Sequence, residues 1–370
     1  MKRFFTIYLL FFVALCGSFA ESQNDSVSAS PGLRISIRTG SGFILRHHSE
    51  MAVYANHHFQ MFEASVAYKT FGEQSWNSRY NYPWFGMSMY YSDLGASPYL
   101  GYAAAVYPYS EITFLGNQDF CLNGRAGLGI GYISKPFDRF DNYKNTAIGS
   151  HLNAAILLEM NLTGRIYQNI DFSGSLSFFH FSNGGTEMPN YGINVPSVMV
   201  GLNYHLRPSP PVIEPIERVT VVRKPEFTVA AYVGFKEIFP VDGPLYLVYN
   251  TTIDFTYPVL RILKCGLGSD VVYDKSDRII LEDHDIIINN NLETIKLGLH
   301  VTTSVEMGKM SGVAQFGRYV HQLDKSDGEY YDKVAVFYNI YRNFMLSVTL
   351  KTHFAKADYI GIGCAYRIKL

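Results

Sequence analysis

Apolar residues in this chain alternate with polar ones in short bursts. After residue 20, no apolar run approaches the roughly 20 residues a membrane helix requires. Leu33-Arg34-Ile35-Ser36-Ile37-Arg38 alternates cleanly, and Val198-Met199-Val200-Gly201-Leu202-Asn203-Tyr204-His205-Leu206 does so mainly toward its end. A period of two puts successive side chains on opposite faces, as a wall between two different environments requires. The chain holds 28 Tyr and 26 Phe, yet only 17% of its residues are charged. Many of these aromatic residues fall at strand ends, where membrane interfaces collect them. The pattern predicts an all-β chain folded as an antiparallel transmembrane β-barrel. A soluble secreted β-sandwich would share the alternation.

The punctuation of the chain divides it. Met1-Lys2-Arg3, the apolar run Phe4 to Cys16 and the small residues to Ala20 read as a secretory signal peptide, residues 1–20. Leu15 stands before Cys16, where a lipoprotein signal needs a small residue. Residues 21–32 read as a flexible polar leader. Strands are predicted near 33–46, 58–70, 82–92, 97–108, 120–133, 148–163, 166–181 and 195–206, which makes 33–206 one barrel-forming half. Residues 207–225 carry Pro208, Pro210, Pro211 and Pro215 and cannot belong to a paired strand, so they read as an extended connector. Residues 226–370 resume the pattern near 226–236, 245–258, 260–273, 292–305, 309–322, 330–341, 344–354 and 357–368, with Asp274 to Asn291 as a long loop. About eight strands per half gives either two eight-stranded barrels or one larger barrel. An even count in each half puts the connector on the periplasmic side. The halves close alike, on Gly201-Leu202-Asn203-Tyr204-His205-Leu206 and Gly363-Cys364-Ala365-Tyr366-Arg367-Ile368. Each also carries a His-Phe-small triplet one strand earlier, His180-Phe181-Ser182 and His353-Phe354-Ala355, which suggests a duplication.

Several classes of function are disfavoured. A formal net charge of −1 with no basic block argues against nucleic acid as a partner. Cys121, Cys265 and Cys364 are odd in number and widely spaced, which suits neither a disulfide framework nor a zinc site. His47-His48 and His57-His58 are adjacent pairs that would need ligands from elsewhere to hold a metal. Trp76 and Trp84 read as membrane-interface anchors.

The stretch from Phe178 to Asn194 carries chemistry. It begins as an aromatic strand and breaks into Asn183-Gly184-Gly185 and Pro189-Asn190-Tyr191-Gly192. His180 and Ser182 stand two apart at the end of the predicted seventh strand, so they share one face. There an imidazole can take a proton from a hydroxyl. If the chain enters from the periplasm, this strand runs outward and the pair lies at the outer leaflet. Phe172, Leu176 and Phe178 share its parity, while Asp171, Ser173, Ser175 and Ser177 occupy the other face. The pair is therefore expected on the lipid side, with Phe179 and Phe181 blurring the pattern.

From His180 to Ile193 the residues His-x-Ser-Asn-x-Gly and Pro-Asn-x-Gly-Ile resemble the signature of the PagL-type lipid A 3-O-deacylases. The likeness extends more loosely over 33–206. Asn145-Thr146-Ala147-Ile148-Gly149-Ser150 is similar to a stretch of the larger acyloxyacyl hydrolases. The resemblance implies an outer-membrane esterase that removes an ester-linked acyl chain from lipid A of lipopolysaccharide in a Gram-negative cell, without cofactor or metal. It implies Ser182 as nucleophile, His180 as its base, and Asn190, with Asn183, as support for the oxyanion. The family's acidic third member falls here on Asn194, which can accept the histidine Nδ1–H but supplies no charge; Glu187 is a nearby substitute. Ala355, in the second triplet, has no hydroxyl, so one site per chain is expected. The bland reading of His353, Lys356 and Asp358 is a polar strand hairpin. The rival for the whole chain is a non-enzymatic barrel, structural or a narrow channel, that keeps the loop for folding.

Overall fold

The computed structural model describes residues 32–370 apart from 55–56, 73, 75, 96–97, 117–118, 208–223, 261 and 355. The signal peptide, nearly all of the leader, most of the connector and Ala355 lie outside the described residues. The first half comprises β1 (Gly32–Phe43), β2 (His58–Lys69), β3 (Trp84–Ser92), β4 (Ala103–Gly116), β5 (Phe120–Ile133), β6 (Leu152–Tyr167), β7 (Ile170–Ser182) and β8 (Ile193–Arg207). The second comprises β9 (Glu226–Glu237), β10 (Leu245–Pro258), β11 (Leu263–Asp274), β12 (Lys296–Met307), β13 (Met310–His321), β14 (Tyr330–Tyr341), β15 (Phe344–His353) and β16 (Lys356–Lys369). Each set pairs in antiparallel sequence order and closes on itself, β1 against β8 and β9 against β16. The count left open by the sequence is therefore two barrels of eight strands, each the body of its own compact unit. No described helix is long and apolar enough to cross a membrane.

Closure sorts the alternating residues. Outward positions such as Ile37, Met89, Ile130, Leu176 and Val198 in the first barrel are 57–69% exposed, and Leu267, Leu299 and Ile362 in the second are equally open. This is the exterior that a lipid-embedded barrel presents. An eight-stranded interior is just wide enough for side chains to fill. In the first barrel it holds Arg and Glu: Arg34 donates to both Glu111 oxygens at 2.9 Å, Arg125 to Glu63 at 2.7 Å, and Arg38 pairs with Glu159. Buried charges persist only when paired and hydrogen-bonded, and each guanidinium here meets a carboxylate. The second interior uses Lys and Asp. Lys236 bridges Asp274 and Asp358 at 2.5 and 2.8 Å, and Lys333 meets Asp270 and Thr252.

Three expectations need correction. The fourth strand is not 97–108 but β4, because residues 98–100 form a turn and Gly101 just after it takes φ 68°. Pro108, which cannot donate to a ladder, sits where the β4–β5 pairing is interrupted between Val106 and Tyr109. The stretch Asp274–Asn291 is not all loop: Lys275–Asp283 forms helix α1, and the Asp274 carboxylate caps it by accepting from the Ser276 N–H at 2.9 Å. Trp84 is not an interface anchor; it is 6% exposed and its ring lies 4.4 Å from the Arg34 guanidinium. Trp76 remains half-buried, edge-on to Tyr80 and Phe85.

Candidate active site

At one end of the first barrel the strands are joined by the segments 44–57, 93–102, 134–151 and 183–192, and at the other end by 70–83, 117–119 and 168–169, the last two short. His180 and Ser182 close β7 at the long-loop end. Burial alternates along β7. Phe172 and Leu176 are exposed and His180 is half-buried on their side, while Ser173, Ser175 and Ser177 are buried inside. Phe179 and Phe181 have a physical reason for breaking the polar-interior rule. Both are fully buried, and they stack in the interior against each other, Tyr90 and Tyr107 with ring centroids 4.2–6.2 Å apart. They plug the barrel beneath the site. Gly131 makes room, since a Cβ there would lie 2.6 Å from the Phe181 ring.

Strand register brings the third expected residue in. His180 stands opposite Asn194 in the β7–β8 ladder, and His180 Nδ1 lies 2.6 Å from Asn194 Oδ1. An amide oxygen can only accept, so Nδ1 carries the hydrogen and, in the neutral ring, Nε2 holds the lone pair. Ser182 is 5% exposed and occupies the next position on the same face. Glu187 is exposed, and its backbone carbonyl accepts from Asn183 Nδ2 at 2.7 Å. The Nδ1 position that Glu187 would have needed is already taken by Asn194.

The two other asparagines are built into the turn. Asn183 Oδ1 accepts from the Gly185 N–H at 2.9 Å, and the Asn183 N–H donates to Asn190 Oδ1 at 3.3 Å. Both side chains are buried. The Asn190 oxygen is thus directed to Asn183, and both ends of the Asn183 amide are engaged within the loop. Asn145-Thr146-Ala147-Ile148 proves to be a brace. Asn145 is fully buried, its Oδ1 accepts from the Ala147 N–H at 3.0 Å, and the Ala147 carbonyl accepts from Gly192 N–H at 2.9 Å. Gly192 has φ 78°, and a Cβ there would lie 2.9 Å from His180 Cε1. The turn needs glycine on both counts.

Sequence reasoning missed one participant. His47, read only as half of an adjacent pair, lies in the β1–β2 segment with Nδ1 3.2 Å from Asn194 Nδ2 and Nε2 2.9 Å from the Tyr191 carbonyl. His48 stacks on the Tyr191 ring with centroids 4.3 Å apart. A histidine 147 positions from its partner has no sequence signal of its own.

The second His triplet differs in kind. His353 closes β15 on the inner face, 6% exposed, with Nε2 3.2 Å from the Tyr319 hydroxyl. It is not the spatial counterpart of His180, because a one-residue difference in strand phase moves a side chain through the wall. His353 and Lys356 pair across the hairpin as the bland reading expected, but His353 and Asp358 are buried rather than loop-end groups. Asp327, His353 and Asp358 bring ligand-type atoms within 4.8 Å of one another. Lys356 lies 2.8 Å from Asp327, and Lys236 and Lys351 lie 2.8 and 3.1 Å from Asp358. Ammonium groups thus already hold the carboxylates a cation would need. Among the described residues Cys121, Cys265 and Cys364 form no disulfide.

Comparison with known proteins adds the family. The model described as lipid A 3-O-deacylase (PagL) matches residues 60–203, and that described as acyloxyacyl hydrolase, C-terminal domain, matches residues 225–370. No curated protein matches the sequence. Among solved structures, Neisserial surface protein A is similar at 8% identity with a TM-score of 0.33, covering 46% of this chain and 96% of that one. The outer membrane enzyme PagL is similar at 16% identity with a TM-score of 0.29, covering 45% and 97%. A triple mutant of Rhodopseudomonas blastica porin follows at 8% identity and a TM-score of 0.18, covering 92% and 100%. At such scores none of the three carries a functional conclusion.

Proposed function

This chain belongs to the lipid A 3-O-deacylase (PagL) family, with the acyloxyacyl hydrolase C-terminal domain as its second half, and from that premise we propose that it is an outer-membrane esterase acting on lipid A. The observation that carries the mechanism is the 2.6 Å contact between His180 Nδ1 and Asn194 Oδ1, at a strand end where Ser182 shares the histidine's face. It commits the lone pair of a neutral His180 to Nε2, the nitrogen left to act as base.

In the proposed reaction, His180 Nε2 takes the Ser182 hydroxyl proton as Oγ attacks the ester carbonyl carbon. The oxyanion of the tetrahedral intermediate takes a hydrogen bond from the Asn190 NH2. Collapse breaks the bond to the sugar oxygen, which leaves with the proton from His180, and the acyl chain stays on Ser182. Water then attacks the acyl-enzyme, gives its proton to His180, and releases the fatty acid with Ser182 restored. Asn194 orients the ring throughout. It offers the imidazolium a dipole rather than a charge, which makes this a slower catalyst than one with a carboxylate. The lipid-side parity of the pair suits a substrate whose acyl chains lie in the outer leaflet. Export through residues 1–20, a periplasmic 207–225 connector and domains at 33–206 and 226–370 complete the proposal.

The Arg–Glu network and aromatic plug filling the first interior argue against the channel form of the rival reading. The deciding experiment is mass spectrometry of lipid A from cells expressing wild type or Ser182→Ala. Wild type should remove one ester-linked chain and the variant none. Equal removal by both, or none by wild type, overturns the proposal.

A further inference from the structure

A histidine side chain tells its two nitrogens apart only through their partners, and so does an asparagine amide its oxygen and nitrogen. At the end of the first barrel these two ambiguities are linked. His180 meets Asn194, and Asn194 meets His47. If Asn194 were turned over, its NH2 would donate to His180 Nδ1, and a neutral His180 would carry its hydrogen on Nε2. That tautomer cannot accept the Ser182 proton. The strand ladder alone does not choose between the two orientations, because the amide lies across from His180 either way.

The choice is made outside the pair. The Tyr191 carbonyl, 2.9 Å from His47 Nε2, can only accept, so Nε2 of His47 carries a hydrogen. In the neutral ring His47 Nδ1 is then bare and can only accept. It lies 3.2 Å from Asn194 Nδ2, which donates to it. The amide oxygen is thereby turned to His180. The Leu45 carbonyl lies 3.1 Å from the same Nδ1 and is served only by a doubly protonated ring, which would call the Asn194 oxygen to His47 instead; the orienting role described here therefore belongs to the neutral ring. His47 is itself held in place: the Leu45 N–H donates to the Asn194 carbonyl at 2.8 Å, tying the segment to β8.

We propose that His47 is a positioning residue: through Asn194 it sets the His180 tautomer that leaves Nε2 free for Ser182. This rests on the deacylase reading for its purpose but not for its structural content. A carboxylate in the third position has no donor end and needs no such orienter. With an amide there, a second histidine supplies the information the charge would have carried.

The test is a cycle of His47→Leu, Asn194→Asp and the double variant, each checked for folding by heat-modifiable mobility. Two readouts are used: acyl release from lipid A in detergent micelles, and the tautomer of His180 from imidazole ¹⁵N shifts. His47→Leu should lower kcat with little change in KM, by at least about tenfold and at most the ~10⁴ seen when a triad histidine holds the wrong tautomer. It should also populate the Nε2–H form of His180. In the Asn194→Asp background the same substitution should cost little, and His47→Asn, whose Oδ1 can stand in for Nδ1, should restore much of the rate. An equal loss in both backgrounds would mean that His47 merely supports the loop, and an unchanged tautomer would also overturn the inference. The ¹⁵N readout needs no activity. A wild type that cuts no lipid A would overturn the deacylase reading and still leave the positioning role open to test.

Discussion

The two barrels share strand number, pairing order and closure, yet they place their His-Phe-small triplets on opposite sides of the wall. In the first, His180 ends its strand on the face of Phe172 and Leu176, against Asn194. In the second, His353 ends its strand among Tyr319, Lys351 and Asp358. Topology is therefore not what makes a site; the phase of one strand within the pleat is. The interiors differ as well. Arg meets Glu in forks in the first barrel, a geometry suited to planar carboxylates, whereas Lys serves as a point charge among several Asp oxygens in the second.

Mutations can break this comparison, starting from the largest effect. Ser182→Ala should lower lipid A deacylation on the order of 10⁴-fold or more, whereas His353→Ala should leave the rate unchanged. A rate assay on purified protein checks both, and loss of activity in His353→Ala would mean that the second barrel takes part in catalysis. Next is interior stability. Glu63→Ala leaves Arg125 with Ser88 and with Glu159 at 3.7 Å, and removing one member of such a buried pair costs about 3–5 kcal/mol. Lys333→Met should cost less, because Asp270 keeps the Tyr331 hydroxyl at 2.6 Å and His300 at 2.9 Å. Urea unfolding in micelles ranks the two.

A smaller effect sharpens the site. Asn194→Ala removes the ring's partner and should slow acyl release by about 10²-fold, within the range for impaired general-base catalysis. Asn194→Asp should equal or exceed wild type. A pH effect separate from catalysis concerns helix α1, where burial raises the Asp277 carboxyl to about 7. The folded state then holds a proton that the unfolded state has already lost above the ordinary aspartate range. Stability of this region should fall as pH rises from about 4 to about 7 and level off beyond. Asp277→Asn should flatten that slope, as hydrogen exchange of α1 amides across pH would reveal. A slope unchanged in the variant would assign it to another group.

Much is legible in the amino-acid sequence alone. Fifteen of the sixteen strand readings overlap the observed strands closely, because alternation in a closed wall is a local property. The 97–108 reading slipped where Gly101 and Pro108 act through backbone geometry rather than polarity. Helix α1 had a visible signal in Asp274 ahead of a run of helix-compatible residues, but it was masked by the charged and Asn-rich content around it. Trp84 was misplaced because composition cannot say which face a strand's aromatic residue occupies. Phe179 and Phe181 show the converse: an apolar pair read as noise is the plug of the interior.

The amino-acid sequence by itself determined that this chain builds antiparallel walls, eight strands to each half, and that His180 and Ser182 share a face at a strand end. Periodicity and near-neighbour spacing are carried by consecutive residues, so they survive without a fold. Only the tertiary structure decided that each half closes on itself and that the second histidine turns inward. Only it brought His47 from the far side of the first barrel's sequence to Asn194. Those outcomes depend on register and loop closure, in which residues more than a hundred positions apart meet through hydrogen bonds that no local pattern encodes.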